Sequence, residues 1–433
     1  MILLLYMVAL MANDLTSNIT RKLLRTFLKK FESSRVLTKA TDSQLFQGKL
    51  NPSSGSLIDI KRPHDYNSIR TPGGDISGAN KSEIIAGKAT AVVQDYFTAA
   101  TEWANIEEAL ELDQLEDIIN PMAARIVTDL EVDYARFMMN NTGLVYGDPD
   151  VAVTKWSDVA GAGALMQATG VPMDDMWSYV MNPFVNTALA DTQTGLSSGK
   201  DSLVDNAWEM AQISKNFGGL KAMTSNALGT RLSGDTVDRE GTLDATPAPG
   251  YLTAKDTMTQ SLDVTGFDAT GTINAGDIIQ ITGRNRLNLS TRQVILDGDG
   301  AEILWTATVV TGATMVAGAG TIIVTGPAIQ ETDGQYNTVD TALTSGDVIT
   351  ILGSAATNYQ PSLFFHRQAF SIATVKLPKL FATDTTVVTE DGFSIRVSKY
   401  ADGDANIQKV RFDLLPAFAV LNPFFAGQGF GKV

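Results

Sequence analysis

The sequence has 433 residues, of which 44% are hydrophobic and 19% are charged, with a formal net charge of −15 at pH 7. This length predicts two or three domains, or one domain that carries a large insertion. The negative charge argues against binding of nucleic acid over the protein surface as a whole. The chain has no cysteine and two histidines. This composition excludes disulfides and thiolate chemistry and leaves little for zinc sites or serine–histidine triads.

The first ten residues, MILLLYMVAL, are as apolar as the core of a signal peptide but lack the basic residues that precede it. We therefore interpret Met11 as the natural start and residues 1–10 as an upstream extension. Residues 15–32 have apolar side chains at every fourth position and a basic opposite face, which predicts an amphipathic helix. We interpret it as a helix docked on its own protein or a neighbour, with membrane-surface binding as the alternative. No run of eighteen apolar residues occurs, so no membrane span is expected.

Residues 56–62 and 89–103 predict two strands joined by roughly 25 residues that are rich in Gly, Asn, Ser and Asp. A connection of this length is too long for a tight turn, so we expect an extended hairpin. Its distal part is RTPGGDISGANK, residues 70–81. This segment lacks the GxxxxGK[ST] order of a phosphate loop and no helix follows it, which argues against phosphate binding.

Helical patterns follow the hairpin. Residues 105–116 predict a short acidic helix, and residues 120–141 predict a long one. We expect Asn120 to cap the long helix and Pro121 to lie in its first turn, where a missing N–H does no harm. Mixed patterns continue to residue 228, and Gly170 is expected to end one helix. The elements predicted there are helices at WSDVAGAGALMQATG, PFVNTALAD and SLVDNAWEMAQ and a strand at MWSYVMNP.

Residues 242–357 are rich in Thr, Gly, Val and Ile and have no helical stripe, which predicts a separate small β-barrel or sandwich. Within them, AGDIIQITG at 275–283 echoes SGDVITILG at 345–353. We interpret each as a Gly-Asp turn that leads into a buried strand, with an internal repeat as the alternative. Mixed patterns resume after residue 360, so a β module interrupts an α+β host. Its predicted strands are QSLDV, DIIQITG, RQVIL, ILWTATVV, GTIIVTG and DVITILG.

No set of reactive side chains predicts an active site. The stretch LDGDG at 296–300 has Thr308 where a calcium loop needs a bidentate Glu, so a β-turn is expected. The neighbouring acids of residues 105–116 are interpreted as a solvated helix face rather than a glycosidase pair. His64 and His366 have no Cys or His companions for a metal. We therefore expect no catalytic, cofactor or metal site, and a structural or assembling protein rather than an enzyme.

Several stretches resemble the major capsid (coat) proteins of short-tailed, P22-like tailed phages, which share the Hong Kong 97-type capsid fold. The resemblance covers nearly the whole chain from Met11 and is weakest in the inserted β domain. The stretches that carry it are IKRPHDYNSIRTPGGDISG, LDQLEDIINPMAARIVTDLE, FMMNN, TKWSDVA, NFGGLKAMTSN and GFSIRVSKYADGDANIQKVRFDLLP.

The resemblance implies an α+β fold of the Hong Kong 97 type that is interrupted by an all-β insertion domain. It divides the chain into parts with expected positions in a shell. The implied parts are an N-terminal arm (11–47), an extended loop (48–90), a peripheral domain with a long spine helix (91–141), an axial domain (142–231), a β-barrel insertion domain (232–357), a continuation of the axial domain (358–392) and peripheral strands (393–433).

The resemblance also implies pentamers and hexamers of an icosahedral shell around a double-stranded DNA genome. A scaffolding protein would guide assembly in the bacterial cytoplasm, a portal protein would occupy one vertex of the virion, and the shell would expand as it matures. A decoration protein is left open as a further partner, and packaged DNA is expected to touch the shell only weakly and non-specifically. An encapsulin-like compartment and a β-rich tail component are the alternative functions.

Subunit contacts are implied at two places. The extended loop would lie over a neighbouring subunit. In relatives with an insertion domain, a loop of that domain makes charged contacts between neighbouring capsomers, and the run SGDTVDREG at 233–241 is the candidate here. The candidate contact residues are Arg62, His64, Arg70, Gly73, Gly74, Asp75 and Lys81 on the extended loop and Asp235, Asp238, Arg239 and Glu240 on the insertion domain.

Overall fold

A computed structural model describes residues 27–31, 34–42, 57–104, 115–174, 176–194, 209–211, 213–248, 250–378, 384–390, 393–402 and 407–432. Residues 27–31 are helical, whereas most of the helix predicted over 15–32, almost all of that over 105–116 and most of SLVDNAWEMAQ lie outside the described residues. The α-helices that follow are α1 Leu37–Ala40, α2 Leu115–Asn140, α3 Trp156–Thr169, α4 Pro183–Thr194 and α5 Tyr251–Ala254. Short 3₁₀ helices lie at Arg367–Ala369 and Pro423–Phe425.

The strands fall into three consecutive groups along the chain. The first eight are β1 Leu57–Lys61, β2 Lys88–Val93, β3 Phe97–Ala104, β4 Leu144–Val145, β5 Trp177–Met181, β6 Asn216–Phe217, β7 Leu220–Thr224 and β8 Arg231–Leu232. The next eight are β9 Glu240–Leu243, β10 Thr259–Thr265, β11 Thr272–Ile273, β12 Ile278–Asn285, β13 Leu304–Thr311, β14 Ala313–Thr314, β15 Gly320–Thr325 and β16 Val348–Leu352. The last eight are β17 Asn358–Tyr359, β18 Ser362–His366, β19 Phe370–Thr374, β20 Asp384–Glu390, β21 Phe393–Asp402, β22 Ile407–Leu414, β23 Pro416–Val420 and β24 Ala426–Gly429.

The long helix α2 starts earlier than its sequence predicts. It is helical from Leu115, so the expectation that Asn120 caps it is wrong, and Pro121 lies inside the helix. A proline near the amino end removes one donor and leaves most of the hydrogen-bond ladder intact. The helix can therefore begin more than one turn before Asn120, the predicted cap.

The apolar face of α2 packs against a four-stranded sheet of order β1-β2-β23-β19. The rings of Tyr134 and Phe137 lie 5.1 and 5.3 Å from the ring of Phe418 on β23. The helix predicted over 120–141 is confirmed, and the apolar residues spaced along this face point into one core. Its residues at 3% exposure or less include Ile126, Leu130, Tyr134 and Met138.

Two further sheets complete the host. A six-stranded sheet of order β4-β24-β18-β5-β7-β6 packs with α3 and α4, and a four-stranded sheet has the order β20-β21-β22-β3. Gly170 ends α3 with φ +94°, as expected from a residue that favours the left-handed conformation. The single strand predicted over 89–103 is wrong in one respect, because residues 94–96 interrupt it and its two halves, β2 and β3, join different sheets.

The inserted β module is a closed six-stranded barrel of order β10-β15-β13-β12-β16-β9, and Trp305 lies fully buried in its core. The two echoing stretches are neighbours in this barrel, since β12 pairs antiparallel with β16 and Ile279 faces Ile351. The segments that enter and leave the barrel also pair, as β8 with β17. Such adjacent ends allow a module to be inserted without disturbing its host. The strand predicted at RQVIL is wrong, because only isolated bridges form there.

Candidate assembly surfaces

The extended hairpin between β1 and β2, residues 64–85, is called the distal hairpin. It ends in a largely exposed tip, residues 68–79. The tip folds on itself through short turns, in which Gly74 N–H donates to Thr71 O at 3.3 Å and Ser77 N–H donates to Asp75 Oδ1 at 2.9 Å. That bond from Ser77 lowers the pKa of the Asp75 carboxyl. Arg70 and Lys81 are exposed and form no ion pair within the described parts of the chain.

Glycine is required at one position of this tip. Gly74 has φ +70°, a conformation that side chains with a Cβ rarely adopt. Gly73 has no such constraint, and a Cβ added at either position would meet nothing within 4 Å. The tip is therefore open space on the isolated subunit, with one conformationally special residue.

Two candidates at the base of the hairpin have internal partners. Arg62 is 7% exposed and donates to the backbone carbonyls of Leu421 and Asp256. Burial lowers the pKa of the Arg62 guanidinium to about 10, so it stays charged at neutral pH. His64 is exposed, and its Nδ1 lies 3.1 Å from the carbonyl oxygen of Ile85 on the opposite arm. Arg62 thus fixes the start of the hairpin to its own subunit.

The hairpin base also contacts the inserted barrel of the same chain. Gln335 Nε2 donates to the backbone carbonyls of Asp65 and Glu83, one on each arm. The Asp65 carboxylate forms an ion pair with Arg292. A groove of about 840 Å³ lies between the arms and residues 331–336 of the barrel. No local sequence pattern predicts this contact, because it joins segments about 270 residues apart.

The barrel segment 233–241 is held by carboxylates from its own chain. The Asp235 carboxylate accepts bonds from the N–H and hydroxyl of Thr272 at 2.6 and 2.7 Å. Asp268 Oδ2 accepts from the N–H groups of Val237 and Asp238. These bonds lower the pKa of both carboxyls, since each stabilises the ionised form. The segment is therefore ordered before any partner binds.

The predicted charged residues of this segment divide into two groups. Arg239 points inward, where Nε donates to Gly353 O at 3.0 Å and Nη2 donates to Ser233 Oγ at 3.1 Å. Asp238 and Glu240 are exposed. Beside them Val237 is 76% exposed, an apolar apex that the charge pattern of the segment does not indicate.

A buried arginine joins the barrel to the host. Arg286 is 2% exposed, and its Nη2 donates to Gly143 O at 2.9 Å, just beyond α2, and to Thr306 O at 2.8 Å within the barrel. Desolvation lowers its pKa to about 10. Thr142 and Thr308 add a hydroxyl–hydroxyl bond of 3.0 Å across the same junction. The barrel is thus fixed to residues 142–143, just beyond α2, by buried polar contacts.

Of the residues that the sequence raised for metal or catalytic roles, the LDGDG turn and both histidines have structural partners, whereas the acids of 105–114 lie outside the described residues. Asp297 Oδ1 accepts from Asp299 N–H and Ala301 N–H, which makes LDGDG the expected turn. His366 is 1% exposed and bonds to Asp174 Oδ1 at 3.0 Å. Over the described ranges, no group of three His, Asp or Glu could hold a metal ion. Among the helices that the structure describes, none has the length and apolar character to cross a membrane.

Comparison with known proteins bears on the whole chain. A family described as "P22 coat protein - gene protein 5" matches residues 11–431. A curated relative called "Major capsid protein", from Acyrthosiphon pisum secondary endosymbiont phage 1, is 43% identical over 426 residues, which are 98% of this chain and 100% of the relative. Among solved structures, Mycobacterium phage Che8 aligns at 10% identity and TM-score 0.45, covering 91% of this chain and 90% of that one. The mature capsid of bacteriophage PhiM1 aligns at 10% identity and TM-score 0.41, covering 90% and 87%.

An α+β host with an inserted barrel and exposed, preorganised loops defines a structural protein that acts through its surfaces. The chain belongs to the P22 coat protein family. It is accordingly a component of a phage virion shell, it associates with copies of itself, and it is not an enzyme. The expectation of an α+β, Hong Kong 97-type capsid fold is confirmed by this family membership together with the observed mixture of helices and sheets.

Proposed function

We propose that this chain is the major capsid protein of a phage head, in which pentamers and hexamers form an icosahedral shell around double-stranded DNA. The family match over residues 11–431 carries the proposal, and the relative from another phage, 43% identical and called a major capsid protein, supports it. The net charge of −15 suits a container for DNA, because an acidic wall does not adhere to the anionic polymer inside.

The proposed assembly route has several partners. A scaffolding protein guides a procapsid in the bacterial cytoplasm, a portal protein occupies one vertex, and the shell expands as DNA is packaged. A decoration protein is a further candidate partner. A shell of this kind needs many repeated contacts between copies rather than one reactive cleft, which suits a chain whose candidate sites are loops.

The sheets suggest a role for each part of the subunit. The six-stranded sheet with α3 and α4 would form the axial domain, and α2 with the β20-β21-β22-β3 sheet would form the peripheral domain. The strand pairing refines the proposed boundary at residues 392–393. Strand β20 pairs with β21 and would therefore belong to the peripheral domain, whereas β24 lies in the six-stranded sheet and would belong to the axial domain. The inserted barrel favours a head-shell protein over an encapsulin-like compartment, for which no insertion is expected.

Two exposed surfaces are proposed as subunit contacts, and three candidate residues are given supporting roles. The two arginines and the one carboxylate with internal partners would hold those surfaces in place rather than touch a neighbour. The proposed contact residues are His64, Arg70, Gly73, Gly74, Asp75 and Lys81 on the hairpin and Asp238 and Glu240 on the barrel, and the supporting residues are Arg62, Asp235 and Arg239.

The proposed function is tested by electron microscopy of the full chain, expressed with and without a scaffolding protein from a related phage. We expect uniform shells of phage-head size in negative stain and a matching fast species in sedimentation velocity. Soluble monomers under every salt and scaffold condition would contradict the proposal.

The barrel contact is tested by charge reversal of Asp238 and Glu240 to Lys in one variant. We expect a lower yield of shells from a monomer that stays folded. The basic groups that these carboxylates would meet on a neighbouring subunit would then face lysines of the same charge. Asp299→Lys, on another exposed turn of the barrel, is the matched control. Equal yields from the two variants would remove Asp238 and Glu240 from the contact.

A further inference from the structure

One side chain of the barrel holds both arms of the distal hairpin. Gln335 Nε2 donates to the backbone carbonyl of Asp65 on the outgoing arm at 3.0 Å and to that of Glu83 on the returning arm at 2.7 Å. An amide NH₂ has two donors, so this geometry uses its full donor capacity. Gln335 is 8% exposed, and a buried amide without partners is unfavourable. The bonds therefore resist separation of the arms from the barrel.

Neighbours of Gln335 extend the contact. Asp65 N–H donates to Tyr336 Oη at 3.2 Å, and the Asp65 carboxylate pairs with Arg292. The Tyr336 ring is itself fixed by stacking on Tyr251, with centroids 3.6 Å apart. Asp65 is thus bound through its N–H, its carbonyl and its carboxylate, all to the barrel.

The contact ends abruptly along each arm. Asn67 and Asn80 donate to Asp333 O and Oδ2 at 2.9 and 3.3 Å, and Asn67 N–H donates across the arms to Ser82 Oγ at 2.8 Å. Residues 68–79 form no hydrogen bond to the part of the barrel that the structure describes. The hairpin therefore consists of a fixed base and a free tip.

We propose that Gln335 is a positioning residue: it fixes the base of the hairpin on the barrel, so that the barrel sets the direction in which residues 68–79 leave the subunit. The consequence for assembly rests on the proposed function of the hairpin as a subunit contact. Preorganisation of this kind lowers the ordering cost of association, because the tip does not have to search for its orientation. It also gives the inserted barrel a role inside its own subunit.

The test compares two buried glutamines of one barrel in the full chain. Gln335→Ala removes both bonds to the hairpin. Gln260→Ala is the matched control, since Gln260 is 7% exposed and bonds to Ala328 N–H and Ala248 O without touching the hairpin. Hydrogen exchange of the unassembled chain, followed by mass spectrometry, reports on the hairpin base and the barrel separately.

We expect Gln335→Ala to raise exchange about tenfold in peptides covering residues 64–67 and 82–85 and to leave the barrel strands protected, because two hydrogen bonds of ordinary strength are lost. Gln260→Ala should raise exchange near Ala328 alone. Unchanged hairpin exchange in Gln335→Ala would overturn the proposal. Equal loss of protection in hairpin and barrel would also overturn it, because the residue would then only stabilise the barrel.

Shell formation, followed by light scattering, gives the second readout. Gln335→Ala should assemble about tenfold more slowly than the wild type, whereas Gln260→Ala should lose thermal stability with a much smaller effect on rate at low temperature. A loosened hairpin with an unchanged assembly rate would contradict the positioning role. Failure of the wild type to form shells would instead contradict the proposed function, and the exchange result would still decide whether Gln335 fixes the hairpin.

Discussion

The carboxylate of Glu131, midway along α2, accepts a hydrogen bond of 2.7 Å from the backbone N–H of Leu37 at the start of α1. It also accepts from Val36 N–H and from both the N–H and the hydroxyl of Thr38. Glu131 is 3% exposed. A single buried side chain thus accepts from the free N–H groups of one helix from the middle of another, and it ties residues 36–38 to α2.

Removal of this carboxylate should destabilise the subunit strongly. We expect Glu131→Ala to lower the free energy of unfolding by about 2–4 kcal/mol, because three N–H groups and a hydroxyl lose a charged acceptor in the interior. Urea unfolding of the monomer measures this loss. Asp129→Ala is the control, since the pair of Asp129 with Arg125 on the same helix is exposed, and such pairs contribute about 0–1 kcal/mol. Equal losses in the two variants would contradict the role assigned to Glu131.

A second buried carboxylate connects three strands of the β20-β21-β22-β3 sheet. Asp413 on β22 is fully buried and accepts from Arg396 Nη2 at 2.7 Å, from Arg411 Nε at 2.5 Å and from Thr98 Oγ1 at 2.8 Å. We expect Asp413→Ala to lower the free energy of unfolding by about 3–5 kcal/mol, because the buried Arg396 would lose its carboxylate partner and retain the backbone carbonyl of Pro378. Thr98→Ala, which removes one neutral donor, should cost about 1 kcal/mol. Chemical denaturation of both variants should show this order, and the reverse order would exclude Asp413 as the centre of the network.

Local patterns predicted local structure well. Asp277 and Asp347, in the two echoing stretches, each accept a bond from the N–H three residues earlier, on Asn274 and Thr344. The preceding glycines have φ +93° and +89°. The interpretation as Gly-Asp turns that lead into strands is therefore confirmed, because the chemistry of such a turn lies within a few residues of sequence.

Contacts between distant segments could not be predicted in this way. Nothing near Gln335 in the sequence points to Asp65 or Glu83, and the side-chain direction of Arg239 depends on where the barrel closes. Charge and resemblance to relatives indicate the candidate contact residues, but neither distinguishes exposed charges from buried ones. Arg62, for example, is buried and donates to the backbone carbonyl of Leu421. Its sequence neighbours do not indicate this contact, so the burial of its charge can be read only from the fold.

The tip of the hairpin offers a comparison of two adjacent glycines. We expect Gly74→Ala to impair shell assembly or expansion, because its φ of +70° strains any residue with a Cβ and the turn would have to change. Gly73→Ala should have little effect on tip conformation, since a Cβ there meets nothing within 4 Å and no positive φ is required. Both monomers should keep the melting temperature of the wild type, because the tip is exposed. Particle counts by electron microscopy check the difference, and equal counts would exclude the turn conformation as the cause.

The barrel segment 236–238 should respond to acid through Asp268. The N–H groups of Asp238 and Val237 bond to the ionised carboxylate and hold its pKa below the ordinary value of 3.8. Because the pKa of Asp268 is lower in the folded state, the stability contributed by its ionised carboxylate is fully present above pH 3.8. It is lost as the pH falls through the lower pKa of the folded state. We therefore expect the amide NMR signals of Val237 and Asp238 to shift in that acid range before the barrel unfolds. Asp268→Asn should abolish this response at every pH, whereas Asp299→Asn, on a separate turn, should preserve it. A response that persists in Asp268→Asn would assign the titration to another carboxyl and leave the segment without its acid-sensitive anchor.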